Sequence, residues 1–513
     1  MLRPLLLVLA LQAAAGPLPA MLERARQHLE AADRPAARRE LTEALRLYPS
    51  SPAVHNFLGV LEAGEGNFRE AEKRFREAVA RAPDYTDAWL NLGRLYQENA
   101  GKDPEAATKA VGAYQAILRY EPRHAEARFQ SAALLQAKGE FGRSLEELGR
   151  LPPAAQERPA AVAVRLADHV GKGERAEADA AAGKLLSQGG FDALDVRPVL
   201  PVLSAHGRAD LAIRLLEDLR RRGGAVADDL QGLGLLYEKD GRLAEARVRL
   251  EEAARDRPDS VPLLLDLARV AHKARDGKGA LGYLAHARAL EPGNARVHLL
   301  FGMECVELDL GAEAYSSLRE AVRLAPENAA VNYAMGAVAL HRKDPTEAIP
   351  YFRKYAELEP GEPRGPFAVG VAAFQAKDYE TARRLLVPAA ARPETAAGAS
   401  YFLARIARAE GEFEEGLRFA LRSVEVNPTY ADPWSELGLL YLRLGQPEKA
   451  AEALERCLKL DPEHYLGNLH LMMLYSQTRD SREPAQRRRF EEIRTRRDEK
   501  GTDFLRPIEV RPY

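Results

Sequence analysis

Cysteine is nearly absent from this chain: Cys305 and Cys457 are the only two among 513 residues. A zinc or iron–sulfur centre held by several thiolates is therefore excluded. Charge of one sign is also lacking. The 74 Lys and Arg residues against 76 Asp and Glu residues leave a net charge of −2. Nucleic-acid binding proteins usually carry a clear basic excess, so no nucleic-acid partner is expected. Long apolar runs are missing too. The longest, residues 5–15, falls well short of the roughly 20 residues that a spanning helix needs. The motifs of catalysis are likewise absent. Gly101-Lys102, Gly171-Lys172, Gly183-Lys184 and Gly277-Lys278 lack both the upstream glycine and the following Ser or Thr of a phosphate loop. No nucleophile elbow and no His-Glu-x-x-His occur. Gly232-Leu233-Gly234 is followed by no third glycine in register. The eleven histidines are scattered, and the nearest pair, His464 and His470, lies six residues apart, on different faces of a helix. The expectation is a protein that is not an enzyme and has no catalytic residues, cofactor or metal.

What is present is enough to fold. Hydrophobic residues make up 46 % and charged residues 29 %, outside the composition of disordered chains. Arg3, the apolar run 5–11 and Ala13-Ala14-Ala15 have the order of a secretory signal peptide. Residues 1–15 are therefore expected to be a leader, with the rest exported to the periplasm and no membrane span after cleavage. The competing reading is an apolar helix capping the N-terminal end of a cytoplasmic protein. No cysteine follows the run, which excludes lipid attachment of the bacterial lipoprotein kind.

The prolines disclose the organisation. Pro258, Pro292, Pro326, Pro360, Pro428 and Pro462 recur at 34 residues or twice that, and Pro49 and Pro83 keep the same step. A fixed period of this size marks stacked supersecondary units. Each proline ends a helical stretch, since it has no N–H to donate and restricts the residue before it. Twelve residues before the closing position, every unit carries a small residue: Ala37, Ala71, Ala110, Ser144, Ala178, Ala212, Ala246, Ala280, Ala314, Ala348, Ala382, Gly416 and Ala450. A steric cause, close helix packing, is implied. A second small slot on the preceding helix includes Gly59, Gly93, Ala132, Gly302, Gly336, Gly370, Ala404 and Gly438. Between the two slots stand Gly66, Gly139, Gly173, Gly207, Gly241, Gly411 and Gly445, where a left-handed residue would close one helix before the next. Each unit reads as helix, tight turn, helix, proline-closed turn. On this register the two cysteines lie four repeats and a helix apart, too far for a disulfide.

Trp89, Leu92, Gly93 and Tyr96, and again Trp434, Leu437, Gly438 and Tyr441, resemble the first-helix signature of the tetratricopeptide repeat (TPR) family. Leu233, Gly234, Tyr237, Ala246, Leu250, Ala253 and Pro258 are similar to a nearly whole repeat. The resemblance implies an all-α fold, an α-solenoid in which stacked TPR hairpins wind into a right-handed superhelix, with about thirteen units over residues 18–464. Residues 98–109 hold five extra residues, expected to lengthen the turn inside the third unit without disturbing later register. Units within 125–226 lack the closing proline and read as weak. Residues 465–477 look like one more first helix. Residues 484–500 look like a polar closing helix, so that 465–500 cap the array. Residues 501–513 look like an extended tail. Arg487, Arg488, Arg489, Arg494, Arg496 and Arg497 are interleaved with Glu491, Glu492, Asp498 and Glu499, which fits a cap with internal ion pairs.

The resemblance also implies a concave groove lined by first helices. Its inward slots from the eighth to the twelfth unit include Leu265, Arg269, His272, Arg296, Leu299, Met303, Tyr333, Arg364, Phe367, Val371, Phe374, Tyr401, Arg405 and Arg408. Aromatic residues and arginines are common anchors of binding surfaces, and this set contains no acid. The expected partner is a protein or peptide with acidic and apolar groups. The expected function is a non-catalytic interaction scaffold of the bacterial cell envelope, serving assembly, secretion or polysaccharide export. Two alternatives stand beside it: a substrate-presenting partner subunit of a glycosyltransferase or other enzyme, and a cytoplasmic TPR adaptor. Oligomeric state is not legible.

Overall fold

The computed structural model describes residues 17–99 and 103–500, with the side chains of the last helix as far as Arg496. The leader and the tail expected at the two ends lie outside the described residues, as do Gly101 and Lys102 and the side chain of Arg497. Thirty α-helices and no strand occur among the described residues. The chain divides into two compact units, residues 1–242 and 243–513. Both are built from antiparallel helix pairs in tandem.

The small slots explain the pairing. All thirteen residues of the first slot are buried. The second slot faces a large side chain on the other helix of its own pair. A Cβ added at Gly59 would lie 2.5 Å from the Phe75 ring, at Gly93 2.7 Å from Tyr114, at Gly336 2.8 Å from Phe352, and at Gly438 2.4 Å from Leu454. Such separations are inside van der Waals contact. The glycine is the hole into which the partner helix sets its largest knob, and that contact offsets the helix propensity that Gly forgoes. The seven turn glycines adopt φ between 68° and 86°, as expected of left-handed caps.

In unit one the helix pairs start at Pro17–Glu30 with Arg34–Leu47. The extra residues of the third pair separate Thr86–Glu98 from Ala106–Tyr120. Asp103 holds the end of that longer turn: its carboxylate accepts from Lys109 Nζ at 2.7 Å and from the Glu105 amide at 2.9 Å. The weak repeats are weak for visible reasons. The second helix of the fourth repeat, Phe141–Gly149, has nine residues, and the short helix Pro153–Gln156 follows it. In the sixth repeat the first helix is broken into Ala193–Val196 and Leu200–Ala205, an interruption that Pro198 and Pro201 impose.

In unit two the first helices of repeats eight to thirteen are Val261–Lys273, Ala295–Glu307, Ala329–His341, Arg364–Gln375, Ala396–Glu410 and Ala431–Arg443. A further pair, Tyr465–Thr478 and Glu483–Lys500, ends the unit. Phe490 and Ile493 are buried, and Phe490 packs on Tyr465 with ring centroids 5.1 Å apart. Arg487 pairs with Glu483 at 2.5 Å and Arg496 with Glu463 at 2.6 Å, so arginines of this helix face acids.

One recurrent contact has no signature in the sequence period. The fourth residue of many repeats donates a side-chain N–H to the carbonyl of the proline closing the repeat before. Trp89 reaches Pro83 O at 2.9 Å, Trp434 reaches Pro428 O at 3.1 Å, and Asn332 reaches Pro326 O at 2.8 Å. Asn468 does the same to Pro462 O at 3.2 Å, and the Nε2 atoms of His55 and His298 each lie 2.9 Å from Pro49 O and Pro292 O. Each such latch satisfies a carbonyl in the turn and holds the entry of the next helix.

Candidate functional site

The first helices of repeats eight to twelve carry every residue expected to line the groove, and all of them lie in unit two. Their surroundings sort them into three groups. Met303, Phe367 and Tyr401 are 7 %, 7 % and 3 % exposed, and Val371 is wholly buried. These are packing residues, which corrects the expectation that they anchor a partner. Phe367 meets Phe402 of the next first helix at 6.4 Å, and Tyr401 sits between its chain neighbour Phe402 at 5.0 Å and the turn residue Tyr430 at 5.5 Å. Leu265 and Leu299 are partly buried against the core of repeats eight to ten.

The second group is charged but paired. Arg269 donates to Asp266 at 2.5 Å, Arg364 pairs with Glu362 at 2.9 Å, and Arg408 donates through Nε to Glu436. His272 Nδ1 lies 2.9 Å from Glu304 Oε2, a carboxyl that burial pushes up. The expectation of a groove without acids is corrected here. Glu304 and Glu436 come from the next first helix along and reach back to His272 and Arg408, so consecutive helices are joined by polar rungs. Asn91 to Asn56, at 2.9 Å, is such a rung in unit one, and Ser435 to His470, at 3.0 Å, is another in unit two.

The third group is accessible. Arg296 is exposed and Tyr333 and Phe374 are half-buried. Tyr333 leans on Tyr355 at 4.9 Å and on Phe352 at 5.7 Å, and Phe374 on Phe402 at 5.3 Å and Tyr379 at 6.0 Å. Arg405 joins this aromatic patch. Its guanidinium carbon lies 4.8 Å from the centre of Phe374, 5.5 Å from Tyr401 and 6.0 Å from Phe402. Its one hydrogen bond is to the Tyr401 hydroxyl at 3.4 Å. Sequence reasoning named Phe374, Tyr333 and Arg405 but missed Tyr355, Tyr379, Phe402 and Tyr430, because these fall at slots that read as second-helix, packing or turn positions.

No group of three or more His, Cys, Asp or Glu side chains is placed to hold a metal among the described residues. Cys305 and Cys457 are free and buried, and burial pushes both thiols up to about 12. In unit one a pocket of about 530 Å³ opens beside the broken first helix of repeat six, between Leu200, Pro201, Leu216 and Leu236. Arg197 grips Asp229 at its side through two bonds of 2.6 and 2.7 Å. Nothing in the sequence period marked it.

Tandem helical hairpins presenting a lined first-helix face define the α-solenoid class of interaction proteins. Family models for the tetratricopeptide repeat match residues 403–490, residues 62–108 and 237–302, and residues 22–67 and 307–363. Together they span more than half of the chain, which belongs to the tetratricopeptide repeat family, a family of protein-interaction scaffolds. No curated protein matches the chain. Among solved structures, a tetratricopeptide repeat protein from Parabacteroides merdae is 15 % identical, with a TM-score of 0.44 over 48 % of this chain and 98 % of its own. Yeast Tom70 is 16 % identical, with a TM-score of 0.39 over 86 % and 91 %. PilW, a type IV pilus biogenesis factor, is 19 % identical, with a TM-score of 0.37 over 41 % and 98 %. No helix among the described residues is long and apolar enough to cross a membrane.

Proposed function

We propose that the chain is a non-catalytic scaffold, exported to the bacterial cell envelope, that holds a polypeptide segment along the first-helix face of unit two. The observation that carries this reading is the accessible aromatic and cationic patch of Arg296, Tyr333, Phe374 and Arg405, set on consecutive rigid helices. Aromatic rings supply contact area at small entropic cost, and arginine supplies directional donors. The signal-like run of residues 1–15 supports export. The partner is a segment with acidic and apolar side chains, and the service is assembly, secretion or polysaccharide export.

The test is site-specific photocrosslinking in cells, with a photoreactive residue at position 296 on this face or at Val387, which is 54 % exposed on a second helix. Polypeptide adducts are expected from position 296 and not from 387, with the mature chain beginning near Gly16. Equal labelling from both positions, or none, would overturn the groove. A retained Met1 would overturn the export.

A further inference from the structure

Arg405 is unlike its neighbours. Arg269, Arg364 and Arg408 each have a carboxylate within 4 Å. Arg405 has none among the described residues, although two acids stand on the next first helix. Both are committed elsewhere: Glu436 to Arg408, and Asp432 to His464 Nε2 at 3.3 Å. A half-buried guanidinium offers five N–H groups. One is spent on a long bond to the Tyr401 hydroxyl. None of the others is a sealed, unsatisfied atom, so they keep contact with solvent. Rings of Phe374, Tyr401 and Phe402 hold the cation in place and strip part of its hydration. A cation fixed and partly desolvated in advance gains more from a carboxylate than a mobile surface arginine does.

Resting on the groove reading above, we propose that Arg405 is the anchor for an aspartate or glutamate side chain of the bound segment, with an apolar side chain of the same segment lying on Phe374. The fork of the guanidinium takes the carboxylate, and the ring that supports the fork takes the neighbour. A side-chain carboxylate is favoured over a chain terminus because, of the two arginines on this helix, Arg405 alone lacks a carboxylate partner, Arg408 being occupied by Glu436.

The experiment uses the full-length protein and a random bead library of twelve-residue peptides with acetylated and amidated ends. A second library has a free C-terminal carboxyl. Wild-type protein is expected to select, from the blocked library, peptides with Asp or Glu beside Leu or an aromatic residue. Replacing that Glu by Gln in a selected peptide is expected to weaken binding about tenfold or more, and this comparison needs no protein variant. R405M is expected to lose the acidic preference, keep the apolar one and melt no lower than wild type. R405K should retain part of the preference. The proposal falls if acidic residues are not enriched, if wild type and R405M enrich them equally, or if enrichment is confined to free carboxyl ends. It also falls if R405M melts several degrees lower, since Arg405 would then be structural. Selection of purely apolar peptides would sink Arg405 and leave the scaffold standing. Selection of nothing would sink both.

Discussion

At Gly336 an added methyl would meet the Phe352 ring at 2.8 Å, and that ring is fully buried with nowhere to retreat. G336A gains helix propensity of about 1 kcal/mol but overpacks the contact. A net loss of about 1 to 3 kcal/mol is expected, seen as an earlier urea transition and faster hydrogen exchange in Ala329–His341. A second residue-scale test concerns the single serine among the thirteen small slots. Ser144 donates to the buried Asp168 at 2.6 Å, and the other oxygen of Asp168 has no partner. Burial raises this carboxyl to about 8 from 3.8, with the Ser144 hydrogen bond and then Arg165 and Lys172 pulling the other way. Below the unfolded value both states hold the proton and the group is neutral for stability. As pH rises from about 4 to about 8 the unfolded chain releases the proton while the folded one keeps it, so stability falls. D168N keeps an acceptor for Ser144 and removes the titration. It should flatten the fall and raise stability at pH 8 by about 2 to 5 kcal/mol, measured by urea unfolding at pH 5 and pH 8. An unchanged pH slope would refute the assignment.

At the scale of the element, the turn between paired helices needs one left-handed residue. Ala32, Arg275, Asp309, Lys343 and Lys377 fill that place without glycine, at φ between 58° and 66°. The geometry is closed all the same: Lys343 N bonds Leu340 O at 3.0 Å and Asp344 N bonds Ala339 O at 3.0 Å. K343G relieves a left-handed strain of about 1 kcal/mol against the greater freedom of glycine in the unfolded chain. A thermal midpoint 1 to a few degrees higher is expected, roughly what such a difference moves. A lower midpoint would show that the lysine side chain matters more than its backbone. The elements were legible in the sequence where their cause is steric and repeated. The small slots, turn glycines and closing prolines each report a contact that allows one size or one backbone sign. The proline latch was not legible, since Trp, His and Asn have in common only a side-chain N–H. The break in repeat six was hidden because Ala212 kept the register that Pro198 and Pro201 had already interrupted.

At the scale of the whole molecule, the legible part ends at the face of the first helices. Whether Phe367 or Phe374 faces solvent depends on how far Phe402, Tyr401 and the turn residue Tyr430 fill the space beside them. That is a property of three repeats at once, and no single slot encodes it. The same holds for the acids that pair with His272 and Arg408 from the following helix. The end of unit two is a simpler case. Phe490 and Ile493 cover the last first helix, and Gln486 Nε2 bonds Asn468 O at 3.1 Å. A chain ending at Arg482 should melt earlier and self-associate, because an array without its cap exposes an apolar face. Light scattering on the shortened protein checks this, and a monodisperse monomer would contradict it.

The latches also distribute stiffness. In unit two they brace the entries to repeats nine, ten, thirteen and fourteen through His298, Asn332, Trp434 and Asn468. The turn into repeat twelve is held by another bond, Thr395 Oγ1 to Ala389 O at 2.7 Å. The entry to repeat eleven has Pro366 in the donor place and so has no latch of this kind. That joint lies between Tyr333 and Phe374, in the middle of the accessible patch. Packing closes that joint instead: a Cβ added at Gly365 would lie 2.7 Å from Ala356 Cβ and 2.9 Å from its Cα, so repeat eleven is seated on repeat ten backbone to backbone, and the accessible patch crosses a joint clamped by shape rather than by a hydrogen bond.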